Sequence, residues 1–343
     1  MGFDGTHAAT IGISQAATGV TMHAIVQDSY GSAEVLRSAR ITRPEIADHE
    51  VLLRVHAAGL DRGTWHLMTG TPYLMRVIGF GFRRPKNRVP GVDVAGTVVA
   101  VGSAVTRFAV GDEVFGMSRG SFAEYAAARE DKLAHKPANA SFEQAAAVGI
   151  SGGTALQALT AGRVQAGQRV LIIGASGGVG SFAVQLAKAS GAEVTGVCST
   201  NKVDLVTSLG ADRVVDYTRE DFAAGSHHYD LIIDIAGNSP LSRLRRALTP
   251  TGTAVIVGGE SKGNLTGGID RQRRALILTR FVGQRLTGLA SKERASDLEI
   301  LADHLAAGTV TPSIDRTYPL DQVPTAMRYL EAGKVKGKIA ITI

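Results

Sequence analysis

The sequence predicts an α/β protein of two units, an irregular mostly-β unit followed by a doubly wound parallel sheet with helices on its faces. Three observations point there. The chain has 343 residues, long for one domain, and is 44% apolar, enough for a sizeable core. From Met22 to about Asn139, short β-branched runs are broken by Gly and Pro. After Ser141 the period changes, and strand-like runs alternate with helical ones as far as about Gly258.

Residues 1–21 are small and polar, and lack the basic start and compact apolar run of a signal peptide, so they read as a disordered extension. Alternation begins after Met22, at His23–Val26. Val51–Val55, Val94–Val101 and Phe122–Ala126 read as strands, and Gly111–Val114 as a turn entering another. Ser141 is placed to cap a helix, with Gln144 closing a capping box. Arg169–Ile173 is a buried strand, Val179–Ser190 an amphipathic helix, Glu193–Cys198 a strand and Val203–Leu209 a helix. Val214–Val215, Leu231–Ile233 and Ala254–Val257 supply further strands. A helix over Ala295–Ala307 precedes a last strand, Lys338–Ile343.

Composition excludes several classes. One cysteine, Cys198, rules out an intrachain disulfide and a cysteine-rich zinc site, and fits a reducing compartment. No stretch is apolar for long enough to span a bilayer. The net charge is +6. Its two basic clusters, Arg83–Arg88 and Arg271–Arg285, carry no RNA-binding aromatic signature and read as solvated surface rather than a nucleic-acid or membrane contact.

The sharpest motif is Val170–Ile173 running into Gly174-Ala175-Ser176-Gly177-Gly178-Val179-Gly180 and then a helix. A turn that must approach a pyrophosphate closely and aim helix-start amides at it needs glycine. The G-x-x-G-x-x-G spacing departs from the usual G-x-G-x-x-G, and its place between strand and helix gives it weight; the bland alternative is a turn that only packs helix on strand. The second strand ends Val197-Cys198-Ser199-Thr200-Asn201-Lys202, with no acid before Asp204. Ser199, Thr200 and Lys202 suit a ribose 2′-phosphate, which a carboxylate would repel, so NADP is favoured over NAD; against this, Lys202 simply begins a solvated helix.

Together these residues resemble the medium-chain dehydrogenase/reductase superfamily, and within it the zinc-independent quinone oxidoreductase branch, the zeta-crystallin-like proteins. The similarity runs from Met22 to Ile343, with matching stretches at Val55–Leu60, Pro90–Gly96, Gly111–Gly116 and Ala175–Gly180. It implies a GroES-like catalytic domain over 22–140 and 290–343, a Rossmann NADP-binding domain over 141–289, substrate in the cleft between them, and a homodimer joined at the edges of the two Rossmann sheets. Lys202 and Tyr217 match the places where this branch holds the 2′-phosphate. Thr154 matches a position near the nicotinamide, and Ala236-Gly237 and Val257-Gly258 match turns beside ribose and nicotinamide. Zinc-bearing relatives carry a Cys after Ala-Gly-x and a Gly-His-Glu; here these positions read Asp61 and Gly91-Val92-Asp93, so the resemblance implies no catalytic metal. The branch commonly has Asn where Asp61 stands, a departure that bears on cleft polarity.

Hydride transfer without a metal needs chiefly NADPH held against the acceptor. The expected function is reduction of quinones or α,β-unsaturated carbonyl compounds in the cytoplasm. Tyr73 is the candidate proton donor, weighed against a packing or surface role, and Asp61 is a second; solvent can also supply the proton. His66, beside Trp65, reads as satisfied locally, Asp93 as tying down its own loop, and Cys198 as a small apolar residue. Two alternatives stand beside this: a pathway-specific enoyl or polyketide reductase, and a nucleotide-binding protein with little catalysis.

Overall fold

In the computed structural model, which describes residues 19–225, 227–236, 238–258 and 268–343, the chain enters through β1 (Thr21–Val26), paired antiparallel with β2 (Arg37–Thr42). Residues 1–18 of the expected extension lie outside the described residues, and its last residue, Thr21, already pairs with Thr42. Then come β3 (Glu50–Leu60), α1 (Arg62–Thr69), the one-turn α2 (Tyr73–Met75), β4 (Asp93–Val101), β5 (Glu113–Met117), β6 (Tyr125–Arg129) and β7 (Leu133–His135). The strand expected from Phe122 starts instead at Tyr125. Phe122 bonds out of that ladder, donating to Pro90 and accepting from Ile25 of β1.

Ser141 caps α3 (Phe142–Ala146) as its sequence predicts: Gln144 N–H donates to Ser141 Oγ (3.2 Å) and Ser141 N–H to Gln144 Oε1 (3.0 Å). After α4 (Gly149–Gly162) follow β8 (Arg169–Ile173), α5 (Gly178–Ala189), β9 (Glu193–Cys198), α6 (Val203–Ser208), β10 (Arg213–Asp216), β11 (Tyr229–Asp234), α7 (Leu241–Ala247), β12 (Leu248–Ile256), α8 (Ile269–Leu278) and β13 (Arg285–Gly288). Their strands form one sheet in the order β10-β9-β8-β11-β12-β13, and every pairing is parallel. Counted along the chain this is 3-2-1-4-5-6, the doubly wound arrangement whose order reverses between β8 and β11. Val170–Ile173 is buried throughout, as a strand covered on both faces must be.

The chain ends with α9 (Ala295–Ala306), β14 (Ile314–Pro319), α10 (Val323–Glu331) and β15 (Lys338–Thr342). β15 returns to the first large sheet, antiparallel to β3, with Ile339 opposite Leu60. That sheet runs β14-β15-β3-β4-β5-β7, with β6 also on β3. The two sheets share a core: Phe115 and Met117 of β5 belong to the same buried cluster as Ile172 of β8 and Phe182 of α5.

Candidate cofactor and active site

The carboxyl ends of β8 and β11, where the strand order reverses, hold the glycine-rich turn. Gly174 has φ +88°, and a Cβ there would lie 2.7 Å from Ala236 Cβ. A Cβ on Gly180 would sit 2.1 Å from Gly174 O, so α5 can start this close to β8 only without one. Ile235 N–H donates to Ile173 O (3.1 Å) and Val257 N–H to Asp234 O (2.9 Å), which draws Ala236, Val257 and Gly258 to the same mouth. Gly237 lies outside the described residues.

The first backward bond of α5 is Ser181 N–H to Gly177 O (2.9 Å). The amides of Gly178, Val179 and Gly180 therefore have no helical acceptor and add to the positive end of the helix dipole. Ala175 and Ser176 are buried beneath them. A Cβ on Gly177 would meet only Gly174 O at 3.5 Å, so the space in front of these amides has room for an anion.

At the end of β9 the residues divide. Ser199 Oγ donates to Asn201 Oδ1 (2.8 Å). Thr200 Oγ1 donates to Asp216 Oδ2 (2.5 Å), and Thr218 N–H and Oγ1 bond Asp216 Oδ1 (3.0 and 2.7 Å). The Thr200 hydroxyl, with Thr218, holds the Asp216 carboxyl below its ordinary value. The Thr200 hydroxyl proton thus goes to a carboxylate on the neighbouring strand, as that of Ser199 goes to Asn201. Tyr217 follows directly, exposed, with its N–H on Cys198 O (3.1 Å). Lys202 is half-buried, and its ammonium donates to Val335 O (2.8 Å) and Gly333 O (3.2 Å). Burial, chiefly, pushes that ammonium's pKa down.

A second constellation escaped the sequence reading. Lys338, on β15, is 1% exposed. Its ammonium donates to Ser151 Oγ (3.0 Å) and Asp93 Oδ2 (3.2 Å) and lies 3.8 Å from Asp61 Oδ2. Asp93 Oδ1 accepts from Ile150 N–H (2.8 Å) at the start of α4. Asp93 therefore does not tie down its own loop; it joins β4 to α4 and β15. Burial, outweighing Lys338, raises its carboxyl to about 7. The cluster touches the glycine turn, because a Cβ on Gly178 would lie 3.0 Å from Ser151 Oγ and 3.1 Å from Lys338 Cδ.

The catalytic candidates differ in their surroundings. Asp61 caps α1, its Oδ1 accepting from Thr64 N–H (2.9 Å), while the buried Oδ2 lies 3.8 Å from the Lys338 ammonium and accepts no hydrogen bond among the described residues. Tyr73 is 46% exposed beside the Arg76 guanidinium, 4.8 Å from its ring centre. His66 Nδ1 lies 2.7 Å from Thr71 O, locally satisfied as its sequence suggests. Thr154 of α4 lines a narrow cleft of about 20 Å³ with Met117, Ile150 and Lys292. A larger hollow of about 330 Å³ opens at the far ends of α4 and α5, beside Arg163 and His304, a helix length from the glycine turn. Arg271, read as solvated surface, instead pairs with the buried Asp234 at the end of β11.

The comparisons agree with this architecture. Family models match the chain at residues 47–138 (alcohol dehydrogenase GroES-like domain) and 209–341 (zinc-binding dehydrogenase). The chain is 32% identical to the chloroplast envelope quinone oxidoreductase homolog of Arabidopsis thaliana over 340 residues, covering 94% of this chain and 99% of that protein. It is 32% identical to the chloroplastic NADPH-dependent alkenal/one oxidoreductase of the same plant over 338 residues, covering 93% of this chain and 79% of that protein. The quinone oxidoreductase structure from Coxiella burnetii superposes with a TM-score of 0.82 at 29% identity, over 94% of this chain and 100% of that one.

Proposed function

The chain belongs to the medium-chain dehydrogenase/reductase superfamily, in its quinone oxidoreductase branch, and from that premise we propose that it binds NADPH and reduces quinones or α,β-unsaturated carbonyl compounds. The observation that carries this reading is the glycine turn at the switch point, with three unclaimed amides facing room for an anion. When bound, NADPH would supply the hydride. The amides of Gly178, Val179 and Gly180 take the diphosphate, with Gly174, Ala175, Ser176 and Gly177 shaping the approach. Lys202, Ser199, Thr200 and Tyr217 would take the 2′-phosphate. Ala236, Gly237, Val257 and Gly258 border the ribose and nicotinamide, and Thr154 faces the nicotinamide. Tyr73 donates the proton to the oxygen that gains charge.

The same reading has the reaction run without a metal, since Val92 stands where zinc relatives carry an imidazole and Asp61 where they carry a thiolate. Its place of action is the cytoplasm, with a single cysteine needing no oxidising compartment; both plant relatives are named as chloroplast proteins. Among the described residues no helix is long and apolar enough to cross a membrane. Neither nucleic acid nor membrane enters the proposal. A homodimer through the open edge of β13 is supported by Leu276, Ile277 and Phe281, which lie exposed on or just after the adjoining α8.

Oxidation of NADPH is to be followed with a panel of quinones, enones and enoyl thioesters, with and without a chelator. Turnover of a quinone or free enone, unchanged by the chelator, is expected. Tyr73→Phe should lower kcat by about 10²-fold, the scale of a positioned proton donor. Activity confined to thioesters would favour a pathway enoyl reductase, and NADPH binding without any turnover would sink the catalytic reading.

A further inference from the structure

The loop between α10 and β15 leads into a strand of the first sheet, yet three of its polar contacts lie on the unit of the second. Gly333 O and Val335 O anchor the Lys202 ammonium, and Gly337 N–H donates to Ser176 O in the glycine turn (2.8 Å). The loop thus runs from the diphosphate turn to the 2′-phosphate end of the proposed cleft. Its path is fixed at Lys336, whose N–H donates to Asp315 Oδ2 (3.1 Å), the oxygen that also accepts from Tyr329 Oη (2.9 Å).

Lys202 is an incomplete site for a phosphate. Two of its three N–H donors are spent on carbonyl oxygens, so one is left for a ligand. One ammonium also faces a group carrying about −1.5 to −2 charges. Nearby, Arg219 is drawn to Asp216 (3.6 Å). Lys336 is exposed, follows directly on the carbonyl that holds Lys202, and has no ion-pair partner among the described residues. Its charge reaches Lys202, where it adds to burial in disfavouring the ammonium, while Asp315 opposes both. A dianion placed between the two lysines relieves that repulsion.

Resting on the NADPH reading, we propose that Lys336 supplies a second ammonium to the ribose 2′-phosphate. The preference for NADPH over NADH is then set partly by a loop of the catalytic unit, and not by the nucleotide-binding sheet alone. Because the same loop continues into β15 and Lys338, cofactor recognition is mechanically joined to the sheet that carries the substrate side of the cleft.

The test measures dissociation constants of NADPH and NADH by calorimetry for the parent protein, Lys336→Glu, Lys336→Met, Lys202→Met and the control Lys334→Glu. Lys336→Glu should weaken NADPH by about tenfold or more, the scale of a lost charge-assisted hydrogen bond, and leave NADH within about twofold. Lys336→Met should fall between, and Lys334→Glu should stay near the parent, as a surface charge does. Thermal unfolding of the apo variants should match the parent, because Lys336 is exposed. An unchanged affinity ratio in Lys336→Glu, or an equal loss in Lys334→Glu, overturns the proposal. If Lys202→Met alone abolishes the preference, the NADPH reading survives and only the role of Lys336 falls. Equal affinity of the parent protein for both nucleotides overturns both.

Discussion

Lys338 is among the largest side chains that the fold buries completely. An ammonium taken out of water survives only with partners, and here they are Asp93, Ser151 and, at longer range, Asp61. Lys338→Met would leave two buried carboxyls without their cation. It should cost about 3–5 kcal/mol in urea denaturation, and the double variant Asp93→Asn/Lys338→Met should recover part of that loss. The cluster also makes a pH signature. Asp93 is raised to about 7 from the ordinary carboxylate value of 3.8 by burial, with Asp61 adding and Lys338 and Ile150 N–H opposing. The native state then holds a proton that the unfolded chain releases, so this group's stabilisation is complete below about pH 3.8 and is lost as pH rises through 7. The stability of the parent protein relative to Asp93→Asn should therefore decline between pH 4.5 and 7.5. A difference that stays flat or grows over that range would refute the raised carboxyl.

At the scale of elements, the start of α5 separates two duties that glycine performs in one turn. A Cβ on Gly180 would collide with backbone at 2.1 and 2.7 Å, whereas one on Gly177 would meet a single atom at 3.5 Å. Gly180→Ala should thus push α5 off β8 and cost about 1–3 kcal/mol of stability. Gly177→Ala should leave the unfolding midpoint near that of the parent, because φ −86° suits alanine, while its methyl should enter the space proposed for the diphosphate and weaken NADPH. Comparing the two midpoints and the two dissociation constants checks the division; equal stability losses would refute it. This turn was legible in the sequence because its signal is local: a buried apolar strand, glycines at short spacing and a helix lie within about twenty residues. The capping box at Ser141 was legible for the same reason. The bond of Thr200 to Asp216 was not legible, because Asp216 lies on the next strand and only the parallel register of β9 and β10 brings them together.

Across the whole molecule, the contacts that escaped the sequence are those between residues far apart in the chain. Asp93 and Lys338 are 245 positions apart and Lys202 and Val335 are 133 apart, and neither residue type nor spacing announces such pairs. Short strands broken by Gly and Pro foretold the first sheet and the alternation of strands and helices the second, but neither foretold the loop of residues 333–338 that ties the glycine turn and Lys202 to the last strand. That loop carries a thermodynamic consequence. The sheets share one buried cluster and this tie, so they should unfold together rather than in succession. A ligand that grips the glycine turn should then stabilise both at once, by about 2.7 kcal/mol when its free concentration is a hundredfold above its dissociation constant. Calorimetric scans should show one transition that moves upward intact with NADPH, and moves less with NADH at the same concentration. Two resolved transitions, with only the earlier or only the later one responding, would mean that the first sheet does not share in holding the cofactor.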